Sequence, residues 1–159
     1  MNVLVVYYTR TGNTRQIAEE ITDKLNADVE EIIDKTKRSG IIGWLRSGYH
    51  AVREKLTEIE EMKKNPQDYD IIILGTPNWA GRLTPAIRTY ISRYKDQFNK
   101  LAYFITMGGR AGDELIKNIR EFCGKKPIAT AQILEKEIEE DNYTEKIDAF
   151  IREIKVNSE

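Results

Sequence analysis

The chain is poor in the side chains that carry most acid–base and nucleophilic chemistry. Its 159 residues include one cysteine, Cys123, and one histidine, His50. A lone cysteine excludes an internal disulfide framework, and no Cys/His cluster offers a zinc site. Cys123 reads as a small core residue, because its distance in sequence from the imidazole makes a poor dyad. Neither Gly-x-x-x-x-Gly-Lys-[Ser/Thr] nor Gly-x-Gly-x-x-Gly occurs. That argues against a nucleoside-triphosphate loop and a dinucleotide fingerprint. No apolar run is long enough to span a membrane, and no secretory leader is read at Met1. The expectation is a cytoplasmic chain. A net charge of −1 gives no electrostatic case for nucleic acid.

What the chain does have is concentrated in its first two dozen residues. Residues 2–8 form a nearly unbroken apolar, β-branched run, Val3-Leu4-Val5-Val6-Tyr7-Tyr8. The lack of alternation predicts a strand covered on both faces, as in a parallel sheet. After the turn Thr9-Arg10-Thr11-Gly12-Asn13-Thr14, the apolar residues Ile17, Ala18, Ile21 and Leu25 recur at helical spacing. The first amides of a helix lack intrahelical acceptors, and its dipole is positive there, so such a turn suits a phosphate. Thr9, Thr11 and Thr14 add hydroxyls, Asn13 an amide, and Gly12 lets the backbone close. With no lysine in it, the loop suits a phosphate monoester that is held and not transferred. The plain alternative is an N-cap and turn.

Similar units follow. Residues 27–33 read as a second strand. Residues 34–57 read as an extra amphipathic helix (Ile41, Leu45, Tyr49, Val52, Leu56), basic at its entry, and 57–64 as a short charged helical stretch. Residues 70–75 are a second buried strand, ending in Thr76-Pro77-Asn78-Trp79-Ala80-Gly81, with Pro85 in the first turn of the next helix. Residues 101–107 form a strand that ends in Gly108-Gly109-Arg110-Ala111-Gly112. A helix then begins at Asp113 and stops at Gly124. Residues 127–134 form a fifth strand and 142–154 the closing helix. Strands that alternate with helices define a doubly wound α/β fold, five parallel strands with helices on both faces, in one domain of 159 residues. In such sheets ligands sit beyond the carboxyl ends of the strands. The loops after strands one, three and four are the irregular ones. Trp79 on a tight loop offers a flat apolar face to a planar ring. Asn78–Gly81 backbone and the glycines 108, 109 and 112 allow close approach to that ring. A phosphate loop and two ring loops describe a mononucleotide with a large ring system, and flavin mononucleotide (FMN) fits.

On these residues the chain resembles the flavodoxins over nearly its whole length. Thr9-x-Thr11-Gly12-Asn13-Thr14 is similar to the family's phosphate loop, and 75–81 with Pro85 to its flavin-ring loop. The resemblance implies strand order 2-1-3-4-5, non-covalent FMN, and one- and two-electron transfer by the flavin between redox partner proteins, in a monomer or weak dimer. By position, Thr9, Arg10, Thr11, Gly12, Asn13 and Thr14 hold phosphate. Pro77, Asn78, Trp79, Ala80 and Gly81 flank the ring, and Gly108, Gly109 and Arg110 close the third side. The chain departs from the family in three ways. Ala80 stands where many members carry the glycine whose peptide flips on reduction, 34–57 is an insertion, and the composition is nearly neutral instead of acidic. Arg10, Arg82 and Arg110 put one cation in or beside each loop. That predicts a less reducing flavin or an anionic partner at the rim.

The leading functional expectation is an electron carrier in which no side chain acts as acid or base. The second is an FMN-dependent NAD(P)H:quinone-type oxidoreductase on the same fold. A receiver-type regulatory domain shares the topology. It needs a carboxylate cluster at the strand ends, and Tyr8-Thr9-Arg10 stands there instead.

Overall fold

The computed structural model describes residues 1–36 and 56–159. Most of the 34–57 insertion, with His50, lies outside the described residues. Five strands form one sheet: β1 (Val3–Tyr7), β2 (Asp28–Glu31), β3 (Ile71–Pro77), β4 (Lys100–Met107) and β5 (Ala129–Leu134). Every pairing is parallel and the order is β2-β1-β3-β4-β5, so the doubly wound expectation holds. Tyr7 of β1 registers with Gly75 of β3, and Gly75 with Phe104 of β4, which brings the carboxyl ends of these strands level.

The helices are α1 (Asn13–Leu25), α2 (Pro85–Tyr94), α3 (Gly112–Cys123), α4 (Glu135–Glu139) and α5 (Thr144–Ser158). Alternate residues of each central strand feed two cores. Val3, Val5, Ile71, Ile73, Ala102 and Phe104 pack under Ile17 and Ile21 of α1 and Phe150 and Ile154 of α5. Leu4, Val6, Ile72, Leu74, Tyr103 and Ile105 pack under Ile87 and Tyr90 of α2 and Leu115 and Ile119 of α3. Burial on both faces is why these strands carry unbroken apolar runs. β5, at the sheet edge, alternates buried and half-buried residues instead.

Local signals act where expected. Pro85 opens α2, and the Thr84 hydroxyl caps it by accepting from the Ile87 amide. Gly124 ends α3 at φ 67°. Cys123 is buried, and burial pushes its thiol up to about 12 despite the opposing Lys95 and Lys125.

Two expectations fail. Residues 57–64 are not helical. Ile59 bridges antiparallel to Asp34, the Glu60 amide donates to the Ile33 carbonyl, and the Lys35 amide donates to the Glu58 carbonyl. Ile59 is buried between exposed Glu58 and Glu60, a period-2 pattern that five charges in eight residues conceal. The ends of the insertion, 34–36 and 56–57, are likewise not helical. Asp34 Oδ1 accepts from the Thr36 amide and the Thr57 hydroxyl, and Thr89 of α2 holds the Thr57 backbone. The short helix α4 was not foreseen. Its Glu137 side chain reaches back to accept from the Leu134 amide at 2.8 Å, a capping arrangement without a hydroxyl N-cap.

Candidate functional site

A cleft of about 420 Å³ opens at the carboxyl edge of the sheet, lined by Arg10, Thr11, Asn13, Thr14, Pro77, Asn78, Trp79, Thr106 and Glu135. It joins the loop after β1, the loop after β3, the end of β4 and the start of α4.

The first wall is built by the entry to α1. Gly12 occupies the N-cap at φ 102°, a conformation that suits glycine, and it has no side chain to cap the helix. The first turn of α1 contains no acidic residue, whereas the first turn of α3 contains Asp113 and Glu114. Thr9 is spent locally, its hydroxyl accepting from the Gly12 amide at 3.1 Å and fixing the turn. Thr14 is buried, and its hydroxyl shares a 2.8 Å hydrogen bond with that of Thr106, 92 residues away. Arg10 and Thr11 are exposed and Asn13 is half-buried, and no side-chain bond commits these three donors among the described residues. Behind this wall Arg15 clamps both oxygens of Glu31 at 3.0 and 2.9 Å, and the Tyr7 hydroxyl donates to the same carboxylate. Burial raises the Tyr7 phenol, with Glu31 adding to the rise and the Arg15 hydrogen bond opposing it.

The second wall is the 77–82 turn. Ala80 and Gly81 take successive positive φ angles of 52° and 74°, and Trp79 bridges Arg82, whose amide donates to the Trp79 carbonyl at 3.0 Å. This is a two-residue hairpin turn with an alanine in a left-handed position that costs it about 1 kcal/mol. Three bonds hold it. The Asn78 amide donates to the Thr106 carbonyl, the Gly81 amide to Asn78 Oδ1, and Asn118 Nδ2 to the Gly81 carbonyl. Trp79 is half-buried, with Tyr8 meeting it edge-on at 6.0 Å and 81°. Part of the indole therefore packs on the core and part faces the cleft.

Gly108, Gly109 and Arg110 are exposed and do not line the cleft. They are tied to it by Asn78, whose Nδ2 donates to the Arg110 carbonyl at 2.7 Å. Of the three loop arginines, Arg10 alone lines the cleft; the Arg82 backbone closes the hairpin, and the Arg110 side chain is exposed. Two lining residues, Thr106 and Glu135, are absent from the sequence-based site. The signal that could have found them is the strand-end rule applied to all strands. Thr106 is the penultimate residue of β4, and Glu135 follows β5 directly.

Among the described residues, no group of three or more His, Cys, Asp or Glu is placed to hold a metal ion, and no helix is long and apolar enough to cross a membrane.

The sheet order, the helices on both faces and a cleft at the carboxyl edge define a flavodoxin-like α/β protein. The flavodoxin family model matches residues 2–150, and the chain belongs to that family. A curated relative, an NAD(P)H dehydrogenase (quinone) from Archaeoglobus fulgidus, is 26% identical over 136 residues, covering 83% of this chain and 69% of that protein. Among solved structures, a flavoprotein in complex with FMN from Lactobacillus acidophilus matches with TM-score 0.74 at 21% identity, covering 87% of this chain and 97% of that one. A flavodoxin from Streptococcus pneumonia matches with TM-score 0.54 at 18% identity, covering 98% and 99%. At these identities the two structures are similar to this chain in fold.

Proposed function

We propose that the cleft holds FMN and that the protein transfers electrons through it. The observation that carries this reading is the convergence of an uncapped, acid-free helix N-terminus and a half-exposed indole on one cleft. The donor set fits the cofactor. Arg10, Thr11, Asn13 and the first amides of α1 suit a phosphate dianion, with a cation and several N–H and O–H donors in one place. Thr9 and Gly12 shape that turn, and Thr14 forms its buried floor with Thr106. Trp79 and the turn 77–81 would hold the ring, with Asn78 tying that turn to the segment 108–110 outside the cleft. When bound, the flavin supplies reversible one- and two-electron chemistry. The chain supplies binding, orientation and exclusion of water. No proton-donating side chain is required, in keeping with a lining that, among the described residues, holds no histidine or cysteine.

A second reading has its own support. The relative from Archaeoglobus fulgidus is named an NAD(P)H dehydrogenase (quinone). Direct oxidation of NAD(P)H is therefore the alternative to service between protein partners.

The test is an absorption spectrum of the purified chain followed by anaerobic mixing with NADH and NADPH. A flavin spectrum that bleaches with an added reductase, and not with the nicotinamide alone, supports the carrier. Fast bleaching by the nicotinamide alone moves the assignment to the oxidoreductase. A colourless chain that does not take up added FMN ends both.

A further inference from the structure

Among the described residues, two charged side chains line the cleft, and they have opposite signs. Arg10 belongs to the phosphate wall. Glu135 enters from the far edge of the sheet, as the first residue of α4 after β5. Its carboxylate turns toward the loop after β4, with Oε2 3.8 Å from where a Cβ on Gly108 would stand. No ion pair or hydrogen bond engages it among the described residues. Its neighbour Glu137 is fully committed, to Lys146 and to the Leu134 amide. Gln132 and Asp113, also near the β5 end, bond each other. Among the described lining residues, Glu135 is thus the uncommitted carboxylate, beside the donors Arg10, Thr11 and Asn13.

A carboxylate has acceptor oxygens and no proton to give at neutral pH. It repels a phosphate, and it offers nothing to an apolar ring face. The groups of the same ligand that suit it are neutral donors: the hydroxyls between the phosphate and the ring, and the N–H at the ring edge, which a flavin without hydroxyls tells apart. We propose that Glu135 is a ligand-binding residue that accepts a hydrogen bond from the polyol chain of the flavin, in the cleft that the Thr14–Thr106 hydroxyl pair also lines. This rests on the FMN reading and adds to it a residue that discriminates among flavins by their side chain. The cleft selects riboflavin-type ligands, which carry hydroxyls, over flavins that lack them. Arg10 and α1 add the preference for the phosphorylated form.

The test is titration of the flavin-free full chain with FMN, riboflavin and lumiflavin, which has a methyl group in place of the polyol. The wild type is compared with Glu135→Ala and Glu135→Gln. Glu135→Ala is expected to weaken FMN and riboflavin alike, by about tenfold or more, the worth of a hydrogen bond to a charged group. Glu135→Gln keeps a carbonyl acceptor and is expected to lose less. Lumiflavin affinity stays within about twofold in every variant, well under the tenfold change of a lost charged hydrogen bond. Thermal unfolding without flavin confirms that each variant folds. Three results overturn the proposal: unchanged riboflavin affinity in Glu135→Ala, tighter FMN binding in Glu135→Gln with riboflavin unmoved (a carboxylate that only repels phosphate), or equal losses for all three flavins (a structural role or a contact with the ring edge). Failure of the wild type to bind any flavin is a separate outcome, which removes the FMN reading and this proposal with it.

Discussion

Replacing Thr14 by valine removes one hydroxyl from a pair that is buried on both sides. Thr14 and Thr106 are 1% and 2% exposed, and their oxygens are 2.8 Å apart. The substitution keeps the shape of the side chain and leaves the Thr106 hydroxyl without its partner. An orphaned buried hydroxyl costs about 1–3 kcal/mol. Both threonines border the cleft, so water can reach the orphan, which places the expected loss near about 1 kcal/mol. For a chain of this length that lowers Tm by about 2–4 °C. Thr14→Val/Thr106→Val removes both polar partners and is expected to lose less than the two single changes summed, with a coupling of about 0.5 kcal/mol or more. The assay is denaturant unfolding of the flavin-free chain, since bound ligand would add its own stabilisation. Single variants within about 0.3 kcal/mol of wild type, with additive effects, would refute the reasoning.

Three further outcomes are expected. Gly75→Ala places a methyl 2.3 Å from the ring of fully buried Phe104, and overpacking of this kind costs about 1–3 kcal/mol, read by thermal unfolding. Asn78→Ala frees the Gly81 amide and the Arg110 carbonyl together; FMN affinity is expected to fall by about tenfold, with stability changing by about 1 kcal/mol or less because the site is partly exposed. Burial raises the proton affinity of Glu137, but the Lys146 ammonium at 2.7 Å and the Leu134 amide outweigh it and hold the carboxyl below its usual 4.5. The folded chain therefore binds this proton more weakly than the unfolded one. The stabilisation is complete above about pH 4.5 and is lost as pH falls through the lower folded value, so Glu137→Gln should flatten the acid limb of a stability profile, by under about 1 kcal/mol for so exposed a pair.

What the sequence alone determined is whatever depends on local pattern. The apolar runs 3–8, 70–75 and 101–107 read as strands, the first two as covered on both faces, and they stand as β1, β3 and β4. The turn 9–14 and Pro85 marked helix starts and Gly124 a helix end, because their backbone demands are met within a turn or two. The alternation of strands with helices named the fold class, and the irregular loops after β1 and β3 pointed at the cleft. Residues 57–64 show where local pattern misleads. Their charges suit a helix in isolation, but pairing with 33–35 makes them extended, and that pairing joins segments more than twenty residues apart.

Tertiary structure alone decided how the side chains at the cleft are divided. Thr9 and Thr14 look equivalent in the loop, yet one closes the turn on the Gly12 amide and the other is taken by Thr106 across the sheet. Asn78 reads as a turn residue, and its use is to tie two loops 32 residues apart. Glu135 sits in a stretch to which sequence pattern assigns no element, and only the register of β5 against β4 sets its carboxylate beside Gly108. The physical reason is common to all three. Periodicity is written in neighbours along the chain, whereas a polar contact depends on which strand lies beside which and at what register, and that is set only when the two hydrophobic faces of the sheet are covered.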